Sequence, residues 1–286
     1  MDIYTIQALN GLVYGMLLFL LASGLTLILG MMGVLNIAHM SFYMLGAYIA
    51  YSVTRFFGFF WLSLLICPLV VGALGVVIER FFIRKTYRTG HMAQLLLTFG
   101  LYFVISEIIR IIWGTQLLRL PVPVPFTGGL PFMGKTYPIY RLFILGFSFV
   151  VLIGMLLVLV RTRIGIIIRA AVSDTEMVNA CGHNIPLYYS GVFAGGTILA
   201  ALAGVIVAPF LTIFSGMGDQ MLMDCFVVII IGGLGSLTGT FVASLLIGQL
   251  QAFGTMWFPE LALVLQFLLL VVILSVRPTG LLGEKP

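Results

Sequence analysis

Long stretches without any charged residue are the feature that most limits what this chain can fold into. From Asn10 to Met40, and again from Phe56 to Ile78, the sequence has no Asp, Glu, Lys or Arg. Charged residues make up 8% of the chain and hydrophobic residues 62%, whereas a soluble domain contains about a quarter charged residues. Because the chain cannot cover itself with a water-facing surface, we predict that it folds in a lipid bilayer.

Apolar stretches long enough to cross the hydrocarbon core, which takes about 20 residues, occur throughout the chain. They are Gln7–Gly30, Ile37–Thr54, Phe59–Ile78, Met92–Trp113, Leu142–Val160, Leu187–Leu211 and Leu261–Val276. A further region, Cys225–Met256, is too long for one span and is interrupted by glycines from 232 to 239. We therefore predict an all-α polytopic membrane protein, one domain over 1–286, with eight or nine transmembrane segments and broken helices near 30–39 and 232–239.

Basic residues indicate which loops face the cytoplasm, since cytoplasmic loops carry an excess of Lys and Arg. Nine of the 14 basic residues lie in two loops and beside the last span: Arg80, Arg84, Lys85, Arg88, Arg161, Arg163, Arg169, Arg277 and Lys285. We expect the loop 161–186 to be cytoplasmic and the loops 114–141 and 212–224 to be external. With nine crossings the N-terminus is external and the C-terminus cytoplasmic.

The segment Gly129–Thr136 matches the phosphate-binding pattern G-x-x-x-x-G-K-[ST]. Such a loop binds phosphate only when a strand enters it and a helix leaves it. Here Pro121-Val-Pro-Val-Pro125 precedes it, Pro131 lies inside it, and the loop is predicted to be external. We therefore expect an ordered external loop and not a nucleotide site. For the chain as a whole, we expect no bound cofactor or metal, no nucleic-acid partner and no enzymatic activity of its own. Any ATP hydrolysis is expected in a partner ATPase subunit.

The cytoplasmic loop Arg161–Pro186 contains the signals of a short helix. Ser173 or Asp174 can cap its N-terminus, Glu176 falls in its first turn, and Gly182 can end it. A connector between two spans usually has 2–8 residues, so this longer loop favours a docking element for a cytoplasmic partner.

The spacing from Glu176 to Gly182 resembles the E-A-A-x-x-x-G loop of ABC importer permeases, which docks on the ATPase subunit, although Met177 and Val178 replace the two alanines. Further stretches resemble permeases for branched-chain amino acids along nearly the whole chain. They are the signature Gly24–His39, the glycine-rich break Gly232–Gly239 and the ending Arg277–Leu281.

The resemblance implies the smaller of two permease subunits, a multi-pass protein of the bacterial inner membrane. Its implied partners are a homologous second permease subunit, cytoplasmic ATPase subunits and an external, periplasmic substrate-binding protein, besides the lipid bilayer. The residues assigned to coupling with the ATPase are Asp174, Glu176, Asn179 and Gly182.

The two helix breaks are candidates for a translocation pathway, because non-helical backbone at membrane depth is tolerated where protein or a water-filled cavity surrounds it. Their polar residues are Asn36, His39, Ser41, Ser236, Thr238 and Thr240. Close helix packing explains the glycines of the second break equally well. The small-residue motifs are Gly11-x-x-x-Gly15, Gly191-x-x-x-Gly195 and Gly235-x-x-x-Gly239.

Isolated polar residues have simpler explanations. No metal ligand lies at suitable spacing around His39, so we expect a hydrogen-bonded structural histidine at a cavity edge. Glu107 and Arg110 are three residues apart on one helix and are expected to pair. Asp219 and Asp224 are expected on the external side, either in a solvated loop or docking a binding protein.

The docking loop and the helix breaks, together with the resemblance, favour a permease subunit of an ABC importer. Branched-chain amino acids or related small solutes such as urea, short amides or aromatic acids are the cargo that the resemblance implies. The alternative is a stand-alone secondary transporter or small-solute channel, which has no need of a cytoplasmic docking helix. A membrane-embedded enzyme is less favoured, since the spans carry neither paired carboxylates nor a metal cluster.

Overall fold

The computed structural model describes residues 2–87, 89–132 and 135–283. Arg88, Gly134 and Lys285, which entered the sequence arguments, lie outside these ranges. The helices are α1 (Asp2–Met32), α2 (His39–Phe57), α3 (Phe60–Phe81), α4 (His91–Trp113), α5 (Ile139–Arg161), α6 (Arg163–Ser173), α7 (Thr175–Ala180), α8 (Ile185–Val207), α9 (Met217–Gly232), α10 (Leu237–Trp257) and α11 (Ala262–Val276). Two short 3₁₀ helices, Ile83–Thr86 and Pro259–Leu261, and a hairpin of β1 (Gly129–Phe132) and β2 (Lys135–Pro138) complete the described elements.

The prediction of an all-α polytopic membrane protein is confirmed. Among the described residues, seven helices are long and apolar enough to cross a membrane: α1, α3, α4, α5, α8, α10 and α11. The prediction of eight or nine segments therefore agrees only approximately, because α2 and α9 must be counted with these seven helices to give nine. The 19-residue α2 carries His39, Arg55 and several tyrosines, and neighbouring helices bury most of it. A helix surrounded by protein does not need the apolar surface that lipid demands.

Helices α1 and α8 form the centre of the bundle, and α4, α5 and α11 lie at its periphery. In the most apolar 18-residue stretch of each helix, 78% of the residues are buried for α1, against 22% for α4 and 11% for the segment containing α11. The exposed residues of the peripheral helices are large and apolar, such as Ile111, Val150 and Val271. They fit contact with lipid or with another membrane subunit.

The first helix break is a segment that turns back into the bundle. After α1 ends at Met32, residues 33–38 reverse direction, and α2 begins beside the middle of α1. His39 Nε2 lies 3.1 Å from the carbonyl oxygen of Leu21, and the imidazole also faces Gly24. At 1.5 Å per residue, Leu21 is about 16 Å inside the end of α1. The segment therefore carries Asn36 and His39 into the interior.

The second break is closed by the segment that follows α11. The amides of Leu281 and Leu282 donate to the carbonyl oxygens of Ile231 and Gly232, at 2.8 and 3.1 Å. These carbonyls belong to the last turn of α9, where no intrahelical donor is left. The glycine-rich break Gly232–Gly239 and the segment that begins at Arg277 thus form one structural unit. In it, the segment after α11 caps the end of α9.

Glycines allow close backbone contact at two of the three small-residue motifs. A Cβ on Gly15 would lie 2.8 Å from the Ser244 carbonyl oxygen of α10, and a Cβ on Gly239 would lie 1.9 Å from that of Gly232. By contrast, a Cβ on Gly191 or Gly195 would meet no atom within 4 Å among the described residues. The packing interpretation holds for the first and third motifs and not for the one in α8.

The segment that matches the phosphate-binding pattern forms an antiparallel hairpin. Strand β1 pairs with β2 so that Gly129 faces Pro138 and Phe132 faces Lys135. The chain therefore passes from strand to strand and not from strand to helix, so the geometry that converges amides on a phosphate does not form. Tyr137 of the hairpin donates to Asn10 Oδ1 over 3.2 Å, which places the hairpin beside the N-terminal end of α1.

Candidate functional site

Three cavities follow α1 along its length. The outer cavity, about 240 Å³, is lined by Gln7, Asn10, Tyr14, Arg141, Phe210 and Gln251, among others. The middle cavity, about 50 Å³, is lined by residues that include Tyr14, Leu17, Leu21, Tyr43, Phe210 and Met221. The lower cavity, about 700 Å³, is lined by residues that include Thr26, Met31, Arg169, Gly235, Ser236 and Thr238. Together they trace a route from one end of α1 to the other.

The route is closed at two points. Tyr14 and Phe210 line both the outer and the middle cavity, so these two side chains separate them. Between the middle and the lower cavity, His39 occupies the space beside Leu21 and Gly24. One turn further along α1, the hydroxyls of Thr26 and Thr240 are hydrogen-bonded at 2.9 Å. These side chains therefore interrupt the row of cavities.

Several fully buried polar atoms of the re-entrant segment and α2 have no hydrogen-bond partner among the described residues. They are both amide atoms of Asn36, His39 Nδ1 and the hydroxyls of Tyr43 and Tyr48. An unpaired buried polar group costs about 1–3 kcal/mol. Their concentration on the re-entrant segment and α2 fits a region that meets water or solute in another conformation.

The predicted pathway residues fall into two groups. Ser236 and Thr238 line the lower cavity, and Thr240 is buried against α1 through its bond to Thr26. Asn36 and His39 are buried in the re-entrant segment and at the start of α2. The two breaks approach each other, since a Cβ on Gly30 would lie 2.8 Å from the Cα of Gly235.

Ser41 is buried, and its hydroxyl donates to the carbonyl oxygen of Ala38 over 2.7 Å. This contact lies within the first turn of α2, and Ser41 is not among the residues that line the three cavities. The assignment of all six residues to a translocation pathway stays a prediction.

Asp219 and Asp224 do not lie in a loop as expected, because α9 already begins at Met217; Asp219 is exposed in its first turn, whereas Asp224 is buried. Asp224 Oδ2 accepts a hydrogen bond from the Tyr14 hydroxyl at 2.6 Å, and its Oδ1 accepts one from Gln266 Nε2 at 2.9 Å. Asp219 accepts a hydrogen bond from the Tyr102 hydroxyl. Asp224 thus joins α1, α9 and α11 inside the bundle.

Replacing Asp224 with leucine should lower the stability of the protein far more than replacing it with asparagine. Leucine leaves the Tyr14 hydroxyl and the Gln266 amide buried without an acceptor, at a cost of about 1–3 kcal/mol each, whereas asparagine keeps one acceptor oxygen. Thermal unfolding of the detergent-solubilised variants measures the difference. Equal melting temperatures for the leucine variant and the wild type would contradict a structural role for the carboxylate.

A capped, exposed helix lies in the loop predicted to be cytoplasmic. Asp174 caps α7, with its Oδ1 accepting from the Met177 amide at 2.9 Å. Glu176 is exposed in the first turn, and Asn179 is exposed further along. Gly182, which follows α7, has φ +86°, a left-handed conformation that favours glycine. The helix predicted between Asp174 and Gly182 is present.

The sequence signals did not indicate α6, which precedes α7, or the small apolar cluster that holds both. Val178 of α7 is buried with Ala171 of α6 and Ile185 of α8. This cluster anchors the inner side of α7 and leaves the residues assigned to coupling exposed. Helix α7 is therefore packed against both α6 and the start of α8.

A buried carboxylate connects the start of α8 to the end of α3, which sequence reasoning also missed. Glu79 has no exposed surface, and Arg84 donates to both its oxygens at 3.1 and 3.0 Å. The hydroxyls of Ser190 and Tyr87 donate to it at 2.5 and 2.8 Å. Burial, and then the hydrogen bond to Glu79, raise the pKa of the Tyr87 hydroxyl well above its usual range. From the sequence alone, the only evident partners of Glu79 are the nearby Arg80 and Arg84, and the contact with Ser190 of α8 cannot be seen.

The predicted pair of Glu107 and Arg110 is confirmed, with Arg110 Nη1 donating to Glu107 Oε2 at 3.1 Å. Both side chains are more than half exposed, so the pair contributes little to stability.

No group of three or more His, Cys, Asp or Glu side chains that could hold a metal ion occurs among the described residues.

Comparison with known proteins identifies the family to which this arrangement of helices and breaks belongs. Residues 7–274 match the family described as branched-chain amino acid transport system / permease component. The chain belongs to this permease family. It is 30% identical to the high-affinity branched-chain amino acid transport system permease protein BraD of Pseudomonas aeruginosa, over 98% of this chain and 96% of the relative.

Other permeases named LivH show the same full-length similarity. The Escherichia coli protein is 25% identical over 97% of this chain and 95% of its own length. The probable branched-chain amino acid transport permease protein of Methanocaldococcus jannaschii is 27% identical over 96% of this chain and 91% of its own length. The prediction of a multi-pass permease subunit is confirmed.

Proposed function

We propose that this permease is the membrane subunit of an ATP-driven importer in the bacterial inner membrane and that its cargo is branched-chain amino acids. It works with a homologous second permease subunit, cytoplasmic ATPase subunits and an external substrate-binding protein. The chain itself neither hydrolyses ATP nor binds a cofactor. The observation that carries the proposal is the row of cavities along α1 in a chain of this permease family.

The cavities support a solute path that is closed in this conformation. The outer cavity has a polar lining at the N-terminal end of α1, and the lower cavity lies where the two broken helices meet. The middle cavity is small and largely apolar. In the proposed cycle, movement of His39 and of the contact between Thr26 and Thr240 connects the middle cavity to the lower one.

The exposed face of α7 supports coupling to a separate ATPase. Asp174, Glu176, Asn179 and Gly182 lie on or beside α7, while Val178 anchors the opposite side. A short, rigid, exposed helix fits a groove on a cytoplasmic partner. The path from α7 to the interior runs through α8, which is joined to α3 by Glu79 and packs against α1 at Gly24.

Reconstitution of the complete importer in liposomes tests the proposal. With the second permease subunit, the ATPase and the loaded binding protein present, we expect leucine to accumulate when ATP is supplied to the side of α7. Vesicles without ATP, and vesicles without the binding protein, serve as controls and should show no accumulation.

Two results would contradict the proposal. Leucine or urea movement that is independent of ATP and of the partner subunits would support the stand-alone carrier or channel. ATP-dependent uptake of a neutral amide in preference to leucine would keep the importer and replace the proposed cargo.

A further inference from the structure

Arg141 is a cation without an acidic partner in the wall of the outer cavity. It is half-buried, its guanidinium lies 5.3 Å from the centre of the Phe210 ring, and it donates to Asn10 Oδ1. The ion pairs found in the described part of the chain involve Arg84 and Arg110 and leave Arg141 unpaired. A guanidinium has five donors in a planar fork that matches a carboxylate.

A residue in the wall of the same cavity has a buried acceptor that lacks a donor among the described residues. Gln251 Oε1 is buried and receives no hydrogen bond from the described residues, and Gln251 lines the outer cavity together with Arg141. A cation that lacks an anion and a carbonyl oxygen that lacks a donor complement the two ends of an α-amino acid zwitterion. The carboxylate matches Arg141, and the ammonium group matches Gln251 Oε1 once the buried amide turns toward the cavity.

The middle cavity, directly beyond Tyr14 and Phe210, has the opposite character. Leu17, Leu21 and Val207 are among the residues that line it. Because Tyr14 and Phe210 line both cavities, movement of these two half-buried side chains would connect them. A solute held by its polar end in the outer cavity would then direct an aliphatic side chain into the middle one.

We propose that the outer and middle cavities form an acceptor site for an aliphatic α-amino acid, in which Arg141 binds the carboxylate and the middle cavity accepts the branched side chain. The inference rests on the proposed function and deepens it, since it assigns recognition of cargo to this subunit in addition to the external binding protein. Urea and short amides lack a carboxylate for Arg141 and a side chain for the middle cavity, so the site disfavours them.

The first test replaces Arg141 in the complete reconstituted importer. With saturating loaded binding protein, we expect Arg141→Gln to lower leucine uptake about tenfold, because a charge-assisted hydrogen bond to a carboxylate is lost. Arg141→Lys, which keeps the charge, should retain several-fold more uptake than Arg141→Gln. Arg119→Gln is the matched control, since Arg119 is an exposed arginine in the segment between α4 and β1 that precedes α5 and should behave like the wild type.

The second test changes the middle cavity. Ala203 is buried and lines it, so Ala203→Leu should fill it and lower leucine uptake relative to alanine uptake. Val207→Ala, which enlarges the same cavity, should shift the preference toward larger side chains. These ratios of two substrates in one variant are insensitive to the amount of folded protein, and they decide the question if Arg141→Gln does not assemble.

The outcomes separate the inference from the proposed function. If the wild-type importer takes up no leucine, the proposed function fails. If the wild type transports leucine and Arg141→Gln does so equally well, or if Arg141→Lys is no better than Arg141→Gln, this inference alone is overturned. An unchanged ratio of leucine to alanine uptake in both cavity variants would also overturn it.

Discussion

A lysine in place of Glu176 should abolish ATP-driven uptake while the permease still inserts and folds. Glu176 is exposed in the first turn of α7 and makes no hydrogen bond or ion pair that the described structure shows. Its loss costs the fold only the favourable interaction of an acid with a helix N-terminus, typically 0.3–1 kcal/mol. If α7 docks on the ATPase subunit, a lysine at this position repels the groups on the partner that the glutamate attracts. Such a juxtaposition of like charges weakens binding by several kcal/mol.

Measurement of uptake, of ATPase co-purification and of the melting temperature separates these effects. Glu260→Lys is the matched control, because Glu260 is also an exposed acid in the first turn of a short helix. It precedes α11 and lies far from α7 in sequence. We expect Glu260→Lys to transport normally and Glu176→Lys to lose both uptake and co-purification. Normal uptake by Glu176→Lys would refute the assignment of α7 as the docking helix.

An alanine at Gly239 should destabilise the protein by about 3 kcal/mol or more, at the upper end for overpacking of a tight contact. Its Cβ would lie 1.9 Å from the carbonyl oxygen of Gly232. That oxygen cannot move away freely, because it accepts a hydrogen bond from the Leu282 amide. The substitution therefore forces α9 and α10 apart at the second break.

Gly195→Ala provides the opposite expectation in the same protein. A Cβ there would meet nothing within 4 Å among the described residues, and alanine in a helix interior is favoured over glycine by about 0.5–1 kcal/mol. Thermal unfolding should show a lower melting temperature for Gly239→Ala and an equal or higher one for Gly195→Ala. A Gly239→Ala variant as stable as the wild type would show that the second break adapts without strain.

The sequence could predict those features that depend on neighbouring residues. Apolar length located the spans, and the cap at Asp174 with the glycine at Gly182 located α7. The glycines from 232 to 239 located the second break to within a few residues, since α9 ends at Gly232 and α10 begins at Leu237. Each of these signals acts within a few turns of the chain, where local spacing determines structure.

Features that depend on distant partners could not be predicted in this way. Asp224 is satisfied by Tyr14 and Gln266, which are 210 and 42 residues away, and a rule that places charged residues outside the bilayer assigns it to a loop. Glu79 is hidden for the same reason, since Ser190 lies 111 residues away. The cavities are likewise a product of packing among several helices.

The assignment of the predicted pathway residues shows the same division. Sequence reasoning selected the polar residues of the two breaks, and the structure places Ser236 and Thr238 at the lower cavity. Sequence reasoning gave no indication that Arg141, Phe210 and Gln251 line a common cavity. They belong to three different segments and meet only in the folded bundle. An arginine near the start of a span reads in sequence as a flanking charge.

The capping of α9 by Leu281 and Leu282 has a consequence for biosynthesis. The carbonyl oxygens of Ile231 and Gly232 receive their donors from residues that are translated only after α10 and α11. Until then, the last turn of α9 has acceptors that hydrocarbon cannot satisfy. The order of translation therefore makes completion of this turn a late event, and a chain truncated before residue 281 would leave these two carbonyl oxygens without their donors.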